Sequence, residues 1–316
     1  MQRNTTTSLW LFQAFGIDVY VHWSWFFVAV MQISSRPNEY TAFYWKVVEY
    51  LSLFALVLLH EFGHALACRS VGGEADTIIL WPLGGIAFVR PPARPGAVLW
   101  SIFAGPLVNL TLILPLAILT LLTPPDTDLR HYLGITTLIN IGLFCFNMLP
   151  VYPLDGGQIL QALLWFAIGR WRSLQVVSAI GFVFGIASIG VLLLLVALQV
   201  VTLGSVLVLG LISLFVAVVS ANSFRVARHA QHMQDLPRHA DCACPSCLTG
   251  PPRGKFWTCE ECEAQFDTFD TRGVCPDCGA WFLPTTCPDC RETHHIDRWF
   301  SCRPGVGLVE PEESSW

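Results

Sequence analysis

Long apolar runs separated by short polar connections fill the chain as far as about residue 228, and then the pattern stops. A helix that crosses a bilayer needs about 20 consecutive, mostly apolar residues. Runs of that kind fall at roughly 19–34, 47–69, 97–122, 132–150, 173–200 and 204–224, which predicts about six transmembrane helices. The run at 159–170, ILQALLWFAIGR, is too short to cross and reads as an extension of the fourth helix or an interfacial segment. Between the second and third runs, ADTIILWPLGGIAFVRPPARPG holds two short β-prone stretches, Thr77–Leu80 and Ile86–Val89, around Pro82, Gly84 and Gly85. That pattern predicts a β-hairpin. It is too apolar for free solution, so it is expected to be membrane-associated and sheltered by protein. The first apolar run starts past residue 10, contains His22 and lacks a small-residue cleavage site, so it is expected to be kept as a helix.

Composition agrees with the pattern. Hydrophobic residues make up 53% of the 316, charged residues only 13%, and the mean hydropathy is +0.54. An ordinary soluble domain carries about 25% charged residues. From 229 onward the chain is polar and rich in Pro and Gly, and it holds ten of the twelve cysteines. The expected organisation is a membrane domain over 1–228, a linker over 229–241, a cysteine-rich double zinc ribbon over 242–303 and a flexible acidic tail over 304–316. The fold class is an all-α polytopic membrane protein with a short membrane-associated β-hairpin and a small C-terminal zinc-ribbon domain. Six spans put both termini on one side. With that side inside, eight arginines (Arg3, Arg69, Arg90, Arg94, Arg170, Arg172, Arg225 and Arg228) face inward, and three cations (Arg36, Lys46 and Arg130) face outward. The positive-inside bias then puts both termini in the cytoplasm.

The second run contains LLHEFGHALA, residues 58–67. His60 and His64 are four apart and share a helix face, with Glu61 beside them. His-Glu-x-x-His on a helix is a metalloprotease pattern, in which the imidazoles hold zinc and the Glu is a general base. The plainer reading is two core histidines hydrogen-bonded to neighbouring helices, but burying such a cluster in a membrane without function is costly. A catalytic zinc takes three protein ligands and leaves a position open for water. The candidate third ligand is Asp155 in NMLPVYPLDGGQIL, because in this topology the second and fourth spans bring His64 and Asp155 to the same depth. Pro150 and Pro153 end the helix, and Gly156 and Gly157 permit close backbone approach. A simple turn at a helix end is the alternative.

These residues resemble the site-2 protease family of intramembrane zinc metalloproteases. The resemblance rests on His60-Glu61-Phe62-Gly63-His64, on Gly105-Pro106-Leu107-Val108-Asn109, and on Asn147 through Pro153-Leu154-Asp155-Gly156-Gly157. LGGIAF (83–88) and VHWSWFF (21–27) add to it, and together these segments span about 15–225. The resemblance implies a catalytic Zn2+ on His60, His64 and Asp155, with Glu61 as base and a transmembrane protein as substrate within membrane lipid. It also suggests Asn109 as a polar group near the substrate; the alternative for Asn109 is a hydrogen bond to a neighbouring helix. The hairpin around Gly84 and Gly85 offers an edge strand for an unwound substrate, or else a plug. His22, beside Trp23 and Trp25, reads as an interfacial histidine, with tuning of the site as the alternative.

The C-terminal part carries four C-x-x-C knuckles: Cys244/Cys247, Cys259/Cys262, Cys275/Cys278 and Cys287/Cys290. Eight thiolates make two structural zinc sites, and a reducing compartment disfavours disulfides. Sequential and interleaved pairing of the knuckles both remain open. From 229 to 316 there are seven Lys and Arg against fourteen Asp and Glu. A nucleic-acid module wants a basic face, so no nucleic acid is expected, and a cytoplasmic protein partner is. The expected function is an intramembrane zinc metalloendopeptidase acting in regulated proteolysis. The rivals are a catalytically silent scaffold of the same fold and a membrane metal transporter. An intact Glu61 argues against the first, and ligands converging on one point argue against the second.

Overall fold

The computed structural model describes residues 8–35, 40–81, 84–200, 203–290, 292–304 and 307–308. The chain divides into two units, Met1–Arg228 and His229–Trp316.

The first unit is a polytopic membrane architecture. In chain order it holds β1 (Ser8–Ala14), β2 (Ile17–His22), α1 (Ser24–Ser35), α2 (Tyr44–Ser70), β3 (Glu74–Trp81), β4 (Gly84–Arg90), α3 (Pro95–Leu122), α4 (Asp128–Asn147), α5 (Asp155–Ile168), α6 (Arg170–Ala197) and α7 (Leu203–Asp235) as far as Arg228. Among the described residues, five helices are long and apolar enough to cross a membrane: α2, α3, α4, α6 and most of α7. The run at 159–170 falls in α5, a separate 14-residue helix.

The expected first span differs. Residues 19–34 divide between β2 and the 12-residue α1, and a helix that short is about 18 Å long, against a hydrocarbon core of about 30 Å. Strand and helix together climb the side of α2. At one end the Arg69 guanidinium donates to the carbonyls of Phe15 and Gly16. Midway the Tyr50 hydroxyl donates to the Trp25 carbonyl at 2.9 Å, and farther along Gln32 reaches Glu49.

The second difference concerns the hairpin. β3 and β4 form it, and it is part of a four-stranded sheet in the order β1-β2-β3-β4. β2 and β3 run parallel, with Asp18 to Val21 opposite Thr77 to Leu80, and the two outer pairs are antiparallel. Alternation along β2 turns Ile17, Val19 and Val21 inward, where they pack with Ile78 and Leu80 against Val57, Ala65 and Cys68 of α2. β3 has a backbone partner on each side, β2 on one and β4 on the other.

The second unit is small and hairpin-rich. It contains β5 (Trp257–Thr258), β6 (Gln265–Phe266), β7 (Pro284–Thr286), β8 (Thr293–His295), α8 (Ile296–Phe300), β9 (Cys302–Arg303) and β10 (Gly307–Leu308). Its core gathers Cys242, Trp257, Phe269, Ile296 and Trp299. The stretch expected as a linker, 229–241, is instead helical to Asp235 and then packed. His239 is 3% exposed, its amide donates to the Pro251 carbonyl, and Arg238 pairs with both oxygens of Asp289. Of the expected flexible acidic tail, 304–316, Gly307 and Leu308 instead pair with Arg303 and Cys302 in a short hairpin, and residues 305–306 and 309–316 lie outside the described residues.

Candidate metal centre

α2 presents His60, Glu61 and His64 on a buried face, each 5% exposed. The partner helix α3 makes room for them. A Cβ on Gly63 would stand 2.7 Å from the Ala104 carbonyl oxygen, and one on Gly105 would stand 2.3 Å from His64 Nε2. Two glycines thus let α2 and α3 approach closely at the level of the imidazoles.

Asp155 opens α5, just after the Pro-containing turn that ends α4. That turn is packed tightly. Cβ atoms on Gly156 and Gly157 would lie 2.4 Å and 2.5 Å from backbone atoms of 148–152. Ser220 Oγ of α7 donates to the Tyr152 carbonyl at 2.8 Å, and Gly181 of α6 leaves space for both. The carboxylate is thereby aimed at α2. Asp155 Oδ2 lies 3.0 Å from His60 Nε2 and 3.4 Å from His64 Nε2, and the two ring nitrogens are 3.0 Å apart.

The rear hydrogen bonds settle what faces this point. His64 Nδ1 meets the Ser101 carbonyl at 2.9 Å. A carbonyl only accepts, so Nδ1 carries the hydrogen and Nε2 a lone pair. For His60 the logic runs through two amides. Asn140 Nδ2 donates to the Asn109 backbone carbonyl at 2.8 Å, which turns its Oδ1 to accept from Asn109 Nδ2 at 2.8 Å. Asn109 Oδ1 is left to accept from His60 Nδ1, and His60 Nε2 likewise points a lone pair forward. Two imidazole lone pairs and a carboxylate crowd one point, which a divalent cation relieves. With ligand distances of about 2.0–2.1 Å, a tetrahedral zinc site has edges of about 3.3–3.4 Å. The observed 3.0–3.4 Å separations fit that.

The structure therefore brings together His60, His64 and Asp155, with Glu61 adjacent on α2. It places Asn109 behind His60, fully buried, with its Oδ1 2.5 Å from His60 Nδ1. The sequence reading missed Asn140, although a lone Asn in the apolar run TTLINIGLF was a visible signal. Gly84 and Gly85 lie in β4, which is an edge of the sheet. His22 caps α1 by accepting from the Ser24 amide at 3.3 Å, and its ring lies against Trp23 and Trp81. An apolar cavity of about 230 Å³ is lined by Val57 and Leu154 with Trp25, Asn147 and Phe215.

In the second unit the eight knuckle cysteines form two groups, Cys244/Cys247/Cys287/Cys290 and Cys259/Cys262/Cys275/Cys278. The pairing is nested, the outer knuckles together and the inner knuckles together. Sγ separations are 3.6 Å for Cys244–Cys290, 3.8 Å for Cys247–Cys287, and 3.6 Å for both Cys259–Cys278 and Cys262–Cys275. A tetrahedral zinc with Zn–S of about 2.3 Å has edges of about 3.8 Å, so both groups fit the metal.

Comparison with known proteins follows this geometry. The family model described as Peptidase family M50 matches residues 49–127 and 123–192. A zinc metalloprotease of Methanocaldococcus jannaschii is 31% identical over 200 residues, covering 60% of this chain and 58% of that protein. Stage IV sporulation protein FB of Bacillus subtilis is 32% identical over 115 residues, covering 35% of this chain and 38% of that one. The solved site-2 protease from Methanocaldococcus jannaschii aligns with a TM-score of 0.49 at 27% identity, covering 69% of this chain and 95% of that one. The chain thus spans 58% or less of the curated relatives named here. The resemblance to site-2 proteases read from the motifs is borne out over the part of the chain that carries the cluster.

Proposed function

We propose that this chain, with its peptidase family M50 segment over residues 49–192, is an intramembrane zinc metalloendopeptidase that cuts transmembrane segments of other membrane proteins. One observation carries the reading: three metal-binding atoms, from His60, His64 and Asp155, converge beside a buried glutamate on a membrane-length helix. A silent scaffold needs no Glu61, and a transporter needs ligands strung along a path.

The residues divide the work. His60, His64 and Asp155 hold the zinc, and Asn109 and Asn140 hold His60 in the tautomer that binds it. Zinc, when bound, polarises a carbonyl and lowers the pKa of water. Glu61 accepts the proton of the attacking water and passes it to the departing amine. A substrate helix hides its carbonyls in its own hydrogen bonds, so it must unwind before attack. The edge strand β4, which begins at Gly84 and Gly85, offers backbone groups to hold the unwound stretch by strand addition. The apolar cavity beside Val57 and Leu154 accommodates its side chains.

The C-terminal unit folds around two structural zinc ions and lies, with both termini, in the cytoplasm. Its acidic balance suits a protein partner, such as the cytoplasmic part of a substrate. The test is a comparison of membrane proteomes from cells with the parent chain and with Glu61→Gln. Full-length or pre-cut membrane proteins should accumulate with Glu61→Gln while its zinc content stays at the parent level. Normal turnover of every membrane protein in the variant overturns the proposal.

A further inference from the structure

Outside the cysteine groups, the second unit gathers His239, Asp241, Cys242, Asp267 and Asp270. Their hydrogen bonds define what each offers. Asp267 is 7% exposed; its Oδ2 accepts from the Gly254 amide at 2.8 Å and its Oδ1 from the Phe269 amide at 3.0 Å. Amides only donate, so both oxygens are acceptors in these bonds. His239 Nε2, 3.1 Å from Oδ2, therefore supplies the hydrogen to that bond. This is the arrangement in which a carboxylate behind a histidine fixes its tautomer and frees the other nitrogen for a metal.

That other nitrogen, Nδ1, faces Asp241 Oδ1 at 3.7 Å and Asp270 Oδ1 at 4.0 Å. A charge-assisted hydrogen bond from an imidazolium would draw a carboxylate in to about 2.7–2.9 Å. Neither has closed on the ring. The gaps instead approach the edge of about 3.3 Å that nitrogen and oxygen share around one zinc. Cys242 Sγ stands in the same group as His239 and Asp241, with all three ligand atoms within 4.8 Å of one another. The ring is buried, while the Asp241 and Asp270 side chains are 69% and 68% exposed. The Nδ1 side of the buried ring therefore lies beside two exposed carboxylates.

The geometry points to a third metal site in the C-terminal unit, distinct from both cysteine groups. It binds a divalent transition cation, zinc first, through His239 Nδ1, Asp241 and Asp270, with the Cys242 thiol within reach as a fourth ligand. One imidazole and two carboxylates make a harder, more labile set than four thiolates. The ion joins the chain just before the first knuckle to the 267–270 turn between the inner knuckles, and so staples the start of the unit to its centre.

The test uses the purified full-length chain, equilibrated with zinc alone and desalted, with zinc per chain measured by atomic emission. The variant is Asp241→Asn/Asp270→Asn, two exposed positions whose replacement leaves the core intact. The parent should hold one more zinc per chain than the variant, and mild chelation should release that ion first. In an Asp155→Ala background the total falls but the difference persists, which separates this site from the membrane cluster. Equal zinc in parent and variant overturns the inference, since any extra ion is then adventitious. Nitrogen NMR of His239 gives a second measurement. Nδ1 should shift on adding zinc while Nε2 keeps its proton, and a ring protonated on both nitrogens in the zinc-saturated chain also overturns it.

Discussion

Gly105→Ala puts the metal-centre geometry at risk with a single methyl group. The new Cβ would lie 2.3 Å from His64 Nε2, 2.4 Å from Cε1 and 2.8 Å from Cδ2. Ordinary heavy-atom contacts begin near 3.5 Å, so the ring must retreat by about 1 Å. Its rear nitrogen is tethered to the Ser101 carbonyl at 2.9 Å, which restricts the retreat. Metal sites tolerate errors of about 0.2 Å in ligand distance, so a shift of this size removes His64 from the ligand set. A misplacement of about 1 Å also costs about 10²-fold in rate. The expected result is one zinc fewer per chain by atomic emission, with the cysteine-bound zinc retained, and peptidase activity reduced at least about 100-fold. Gly142→Ala on α4 is the control. Nothing lies within 4 Å of its Cβ, so zinc and activity should stay at the parent level. A Gly105→Ala chain with full zinc and activity close to the parent's would refute the packing argument.

Asn140→Ala removes the anchor of the Asn109 amide and loosens the His60 tautomer; zinc affinity at the membrane cluster should fall about 10–100-fold in competition with a chelator. A parent-like affinity would mean that Asn109 orients His60 unaided. Asp155→Ala should lose one zinc and leave the tail metals in place, and an unchanged total would place the third ligand elsewhere. The double variant Cys247→Ser/Cys287→Ser should lose one zinc and keep the other, because both residues serve one nested site; sequential pairing of the knuckles would cost both ions.

The features legible in the sequence are those set by local spacing. Apolar runs of membrane length show directly, and α2, α3, α4, α6 and α7 follow them closely. The His60/His64 pair needs only the helical repeat to share a face, and each C-x-x-C knuckle is a self-contained turn. Asp155 was within reach because two prolines and two glycines mark a turn where a continued helix would have faced lipid. The first span was not legible. An apolar run reads equally well as strand or buried helix; residues 17–22 are a strand because β3, far along the chain, supplies their hydrogen bonds. The nested cysteine pairing was closed to inspection for a similar reason, since four equivalent knuckles carry no mark of their partners. The hairpins and the core around Trp257 and Trp299 decide which thiols meet. Asn140 is the sharpest case. Its bond to Asn109 joins residues 31 apart, and Asn109 reaches His60 across 49. Local sequence could show a polar residue in an apolar helix, but only the packing of α2, α3 and α4 linked it through Asn109 to His60, because a hydrogen bond of about 3 Å exists only where the whole fold brings donor and acceptor together.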